Sequence, residues 1–294
     1  MLQQTRVAAV LPFYNRFMAR FPNVEALADA HEEDVLAEWA GLGYYSRARN
    51  LHNAAQVVVA LGGTFPSNRA ALLALPGIGE YTAAAIGSIA FGLPLAAVDG
   101  NLLRVISRLD DDPSDIGHVR TRARFTDRAQ ALLDRKHPGE FNQAMMELGA
   151  TVCLPKSPRC NECPVSAHCA ARLTGRQSEL PVKARKQSKV HLEVVVLVIR
   201  RRGRILLCQR PQDAGQMAGF WELPEVSAVP EASVGAKQGE VRHTITHHHY
   251  RFNVMLAEWS GTARKPLAWK DLNKMNKVLL TTAAKKALAC LSSE

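Results

Sequence analysis

Four cysteines near the middle of the chain, Cys153, Cys160, Cys163 and Cys169, constrain its fold more than any other feature. Their spacing is C-x6-C-x2-C-x5-C. Gaps this short bring four thiolates to one point without help from the rest of the fold. A cube of iron and sulfide needs four such ligands. A structural zinc also binds four thiolates, usually as two C-x2-4-C pairs, and only one gap here has that length. The pattern therefore points to a [4Fe–4S] cluster ahead of zinc. Disulfides fit poorly: the N-terminus carries no secretory signal, so an oxidising compartment is not implied. Cys208 and Cys290 lie in apolar stretches and are expected to be buried packing residues.

A chain of 294 residues suggests two domains. A change of hydrophobic period places the division. Residues 1–171 are expected to form an all-α domain. Leu51, Ala54, Ala55 and Val58 recur at helix spacing, with Gly62 and Gly63 as the stop. Ser67 is the expected N-cap of a helix over Ala70–Leu75. Ala83–Phe91, Leu102–Leu109 and Arg120–Arg135 are further helices, the last with Phe125, Ala129, Leu132 and Leu133 on one face. Residues 172–190 read as a basic linker, since Arg172–Lys189 holds six Lys or Arg residues and few large apolar groups. Beyond it the period becomes that of strands: His191–Ile199, Arg204–Cys208 after a turn, and two more over Val241–Ala257. Residues 191–294 are therefore expected to be α+β. No run approaches a membrane span. Lys plus Arg number 37 against 27 acids, a formal charge of +10, which suggests a polyanionic partner, most simply nucleic acid. Solubility alone is the plain alternative.

Two motifs carry chemistry. Leu75-Pro76-Gly77-Ile78-Gly79-Glu80-Tyr81-Thr82 opens a helix after a glycine-punctuated turn. Such a turn lets backbone approach a partner, and the helix N-terminus offers N–H groups and a positive dipole end to a DNA phosphate. The plain reading is an ordinary helical hairpin. About twenty residues later comes Val98-Asp99-Gly100-Asn101. An Asp at a helix start is most often a cap. The functional reading is a carboxylate that stabilises an oxocarbenium ion, as in glycosidic chemistry.

Taken in order, the LPGIG hairpin, the Asp and the four cysteines resemble the endonuclease III superfamily of helix-hairpin-helix DNA glycosylases, and within it the branch that excises adenine. The resemblance covers nearly the whole chain: Met1-Leu2-Gln3-Gln4-Thr5, Gly41–Asn50 and Phe141–Gly149 also match blocks of that branch. It implies a base-excision repair enzyme, a DNA N-glycosylase that hydrolyses the bond to adenine mispaired with 8-oxoguanine or guanine. It further implies a [4Fe–4S] cofactor, double-stranded DNA as partner, no membrane, a monomeric state and a cytoplasmic, bacterial location. The thymine-glycol glycosylase/lyase branch has a lysine where Tyr81 stands, because a lyase step needs an amine for its Schiff base. Tyr81 argues against that branch.

By resemblance, Asp99 stabilises the cationic sugar, Tyr81 assists, and Asn101 supports Asp99. Gln143 matches a position that reads the adenine edge, using a carboxamide that both donates and accepts. Gln4 and Tyr44 match residues that wedge into the duplex, and Thr5 a contact to the opposite 8-oxoguanine. Gly77 and Gly79 supply N–H groups to phosphate.

The second domain resembles a MutT (Nudix)-like module through Leu206–Pro211 and Gly219–Pro224. The glutamate-rich magnesium helix of hydrolysing members is absent after Gly219, which implies a reader of 8-oxoguanine rather than a hydrolase. Its reading loop is Ile245-Thr246-His247, where the family usually has Phe-Ser-His, so the aromatic ring is lost. The run His247-His248-His249 lies on a strand and is not read as a metal site. In the family the general acid is a Glu two residues before the block matched by Met1–Thr5. This sequence begins at that Met, so impaired activity is expected, and a non-catalytic lesion-binding protein is the alternative from another class.

Overall fold

The computed structural model describes residues 1–3, 5, 7–184, 189–215, 217–245 and 247–291. The helices run α1 Val7–Arg20, α2 Val24–Ala28, α3 Glu32–Trp39, α4 Ser46–Ala60, α5 Arg69–Leu73, α6 Glu80–Phe91, α7 Gly100–Leu109, α8 Val119–Leu132, α9 Pro138–Glu147 and α10 Ala170–Leu173. Strands β1 Val190–Val198, β2 Arg200–Arg201, β3 Arg204–Gln209, β4 Trp221–Glu222, β5 Ser233–Ile245, β6 His248–Glu258 and β7 Leu267–Asp271 follow, and α11 Thr282–Ala289 closes the chain. No described helix is long and apolar enough to cross a membrane.

Packing divides the chain into two units. One joins Asn23–Asp29 with Asn50–Lys186; the other joins Met1–Pro22 and Ala30–Arg49 with Gln187–Glu294. In the first, Leu102, Leu103, Val105 and Ile106 of α7 pack on Phe125 and Ala129 of α8, and Val152, Cys153, Cys163 and Val165 rest against that core. The expected cap Ser67 is one residue early. Asn68 is the cap, with extended backbone and Oδ1 accepting from Ala71 N at 2.9 Å. Arg172–Lys189, expected to be a linker, is packed over its described first part. Leu180 is buried, Ile116 N donates to Val182 O, and Ala184 N donates to Asp115 Oδ1.

In the second unit, one sheet has the order β1-β6-β5, with β1 parallel to β6 and β5 antiparallel to it. The other has the order β2-β3-β4, with β7 paired to β3. The end of β1 is covered on both faces: Val196 and Val198 join a core with Ile205, Val241, Val254 and Ala284, while Leu197 and Ile199 join Leu206, Val229 and Ala257. That double burial is why the strand reads as a continuous apolar run. Cys208 and Cys290, expected to be buried, are only half-buried, on β3 and just beyond α11. Helices α1 and α3 and the start of α4 belong to this unit, which is held by particular contacts. Tyr45 packs its ring on Phe220 at 4.6 Å, and Arg49 Nη2 donates to Ala218 O.

Candidate functional site

The turn into α6 is shaped by Gly77. Its φ is +76°, and a Cβ there would lie 2.4 Å from Asn50 Cβ, so only glycine fits. Gly79 is the N-cap and provides no side-chain acceptor. The helix start is thus left with its positive dipole end uncapped by a side chain.

Asp99 caps α7, as the plain reading expected. Its Oδ1 accepts from Leu102 N at 2.8 Å. The other oxygen is held separately: Asn101 Nδ2 donates to Oδ2 at 3.1 Å. Asn101 Oδ1 in turn accepts from Arg104 Nη2 at 3.0 Å. Arg104, 7% exposed, also donates to Gly149 O at 2.7 Å and to Cys153 O at 2.8 Å. One turn further, Arg108, 2% exposed, donates to Leu180 O, Leu154 O and Pro155 O and to Cys153 Sγ. Residues 101, 104 and 108 share one face of α7, as helical spacing requires. A line of side chains therefore joins Asp99 to the cysteine loop. Gly149 lies in a wide π-helical turn, Leu148–Val152, and a Cβ on it would lie 2.8 Å from Asn101 Cβ.

Tyr81 is half-buried and its hydroxyl donates to Met146 Sδ at 3.6 Å. Burial, and then the negative charge of Asp99, push its pKa above the ordinary value of 10.0, so the phenol stays neutral in the working range. Gln143, on α9, is exposed, with Nε2 donating to Gly139 O. Its neighbour Asn142 is 0% exposed and makes three bonds: it accepts from Ala97 N and donates to Ser88 Oγ and Leu95 O. These bonds fix the extended segment that delivers Asp99.

The four cysteines are half-buried and unpaired. They line a single opening, together with Arg108, Arg159, Arg172 and Gln177. Among the described residues no three His, Cys, Asp or Glu groups converge closely enough to hold one metal ion. The thiols instead ring the opening. Burial, above all, raises the Cys169 pKa, and the other three sulfurs push the same way. Four thiols around one opening are the donor set that a [4Fe–4S] cluster requires.

The remaining expected residues lie in the other unit. Tyr44 is 61% exposed with φ +49°, in the turn between α3 and α4. Thr5 Oγ1 donates to Gln3 O at 3.3 Å, and Arg47 Nη2 reaches it at 3.4 Å. His247 is half-buried in the β5–β6 turn, where Ile245 pairs with His248. Gln4 and Thr246 lie outside the described residues. After β4 the chain makes only the short 3₁₀ turn Val226–Ala228, with no glutamate-rich helix among the described residues. Arg104, Arg108 and Asn142 were not singled out in the sequence. The signal for Arg104 was present: it falls among Leu102, Leu103, Val105 and Ile106, where a solvated residue has no place, and Arg108 lies one helical turn further on the same face.

Residues 1–131 match the HhH-GPD superfamily of base excision DNA repair proteins, and residues 194–290 match the NUDIX domain. Adenine DNA glycosylase of Homo sapiens is 34% identical over 97% of this chain and 65% of its own length. That of Mus musculus is 39% identical over 89% of this chain and 57% of its own length. The chain thus spans less than two thirds of these relatives. A thermostable thymine-DNA glycosylase of known structure is 30% identical, with a TM-score of 0.53 covering 59% of this chain and 80% of that one. An endonuclease III bound to DNA shares the fold at 24% identity and a TM-score of 0.50, over 58% of this chain and 79% of that one.

Proposed function

This chain belongs to the HhH-GPD superfamily of base excision DNA repair proteins, and from that premise we propose that it is an adenine DNA glycosylase acting on adenine opposite 8-oxoguanine or guanine. One observation carries the reading: a carboxylate, Asp99, with one oxygen spent on its helix and the other steadied by Asn101, beside the neutral phenol of Tyr81. Breaking the bond between sugar and base leaves positive charge on the sugar. A fixed carboxylate stabilises that charge without reorganising. The base departs with the bonding electron pair and takes up a proton from solvent; water then adds to the cationic sugar and releases a proton. Tyr81 offers no amine, so the enzyme forms no Schiff base and stops at the abasic site.

Adenine is extruded from the stack to reach Asp99. Gln143 reads its edge with one donor and one acceptor. Gly77, Gly79 and the start of α6 take the phosphate. Gln4, Thr5 and Tyr44 engage the duplex at the mispair, and the turn at Thr246 and His247 reads 8-oxoguanine. The Nudix domain serves as a reader, consistent with the short turn that stands where a magnesium-binding helix would be. Cys153, Cys160, Cys163 and Cys169 hold a [4Fe–4S] cluster, whose contribution is to fix the loop 153–169 that Arg108 and Arg104 grip.

The test is Asp99→Asn in single-turnover excision from a duplex holding adenine opposite 8-oxoguanine. Losing the charge should slow excision by about 10²–10³-fold while duplex affinity is kept. Excision at the unsubstituted rate would remove Asp99 from the chemistry and the reading with it.

A further inference from the structure

We infer that Arg47 is a positioning residue, which locks Met1, Gln3 and Thr5 and the exposed Tyr44 ring into one rigid reading edge. The inference rests on the proposed function only in taking Tyr44 and Thr5 as DNA contacts.

The guanidinium of Arg47 fans into four carbonyls and a hydroxyl from two separate stretches of chain. Nη1 donates to Met1 O at 3.0 Å and also to Gln3 O. Nη2 donates to Leu42 O at 3.3 Å and Gly43 O at 3.2 Å, and reaches Thr5 Oγ1 at 3.4 Å. Its Cζ lies over two aromatic rings, 5.3 Å from the centre of Trp39 and 5.7 Å from that of Tyr44. Trp39 adds a bond of its own, from Nε1 to Gly43 O at 3.1 Å. Burial lowers the Arg47 pKa, and its Nε is buried without a hydrogen-bond partner. Placing a guanidinium in such surroundings is costly, so its position is set by what it holds.

What it holds is unusual. Tyr44 is a bulky residue in left-handed backbone, and its ring is exposed. Left-handed tyrosine is strained and persists only where the surroundings fix it. An exposed ring held in a strained pose is not serving a core. The next residue, Tyr45, is buried against Phe220 and accepts from Gly41 N through its hydroxyl, so the base of the turn is anchored. Arg47 then fixes the tip. Only the planar fork of arginine can reach both stretches at once; a lysine keeps the charge and loses the fork.

A double-mutant cycle on Arg47→Lys and Tyr44→Leu tests this. The readout is the fluorescence of 2-aminopurine placed beside the mispaired adenine, which reports unstacking on binding. Each single substitution should lower the enhancement about tenfold or more, within the range that an ångström of misplacement produces. The double variant should be no worse than Tyr44→Leu alone, because the two act as one unit. Additive losses, or an Arg47→Lys protein that behaves as the unsubstituted one, would overturn the inference. Hydrogen exchange of residues 1–5 and 41–47 without DNA separates the two ideas. Unchanged protection in Arg47→Lys defeats the lock and leaves the function standing. Lost protection, with no effect of Tyr44→Leu on unstacking, defeats both Tyr44 as a DNA contact and the positioning role.

Discussion

Replacing Arg104 by methionine should damage the Asp99 site from a distance. Methionine retains the unbranched stem and removes the charge. Three acceptors then lose their donor: Asn101 Oδ1, Gly149 O and Cys153 O. Each unsatisfied buried acceptor costs about 1–3 kcal/mol, and release of a buried guanidinium offsets part, so a net loss of roughly 2–4 kcal/mol is expected. In a unit of this size that lowers the unfolding midpoint by roughly 6–15 °C. The catalytic loss has a separate cause. With its Oδ1 free, Asn101 can turn, and Asp99 Oδ2 loses a fixed donor. A displacement near an ångström is worth up to about 100-fold in rate. The assay is single-turnover excision well below the variant's midpoint, beside Asn101→Leu and the double variant. If the arginine acts through Asn101, the double variant is no slower than Asn101→Leu. An Arg104→Met protein that excises within threefold of the unsubstituted rate, while Asn101→Leu is crippled, would refute the chain of contacts.

Purified without oxygen, the protein should carry about four irons, and Cys163→Ser should lose them and bind DNA more weakly; stoichiometric zinc in place of iron would overturn the cluster assignment. His243 supplies a pH dependence: burial first, and then the charge of Lys286, hold its pKa below 6.5. The folded state therefore takes up its proton less readily than the unfolded chain, so stability is full above about pH 6.5 and falls as pH drops through the folded value. Urea midpoints at about pH 7.5 and pH 5 should differ less in His243→Asn than in the unsubstituted protein, and equal differences would show that His243 is not responsible.

The elements of this fold were legible where one local signal sufficed. Gly62 and Gly63 ended α4 as their position suggested, and the apolar run before Arg200 is β1. What the sequence hid was partnership across long separations. Arg108 meets Leu180 across 72 residues and makes ordered structure of a stretch that reads as linker by composition. Tyr45 meets Phe220 in the same way, and so a turn between helices belongs with the strand-rich unit. Neither partner carries a periodic signature that points to the other. Asp99 shows a different limit. Its two sequence readings, helix cap and reacting carboxylate, were set against each other, yet a carboxylate has two oxygens. Capping takes Oδ1 and fixes the rotamer, and that same rotamer presents Oδ2 to Asn101 and, through it, to Arg104. The cap is what orients the second oxygen, so capping and the proposed role in catalysis are compatible in one rotamer.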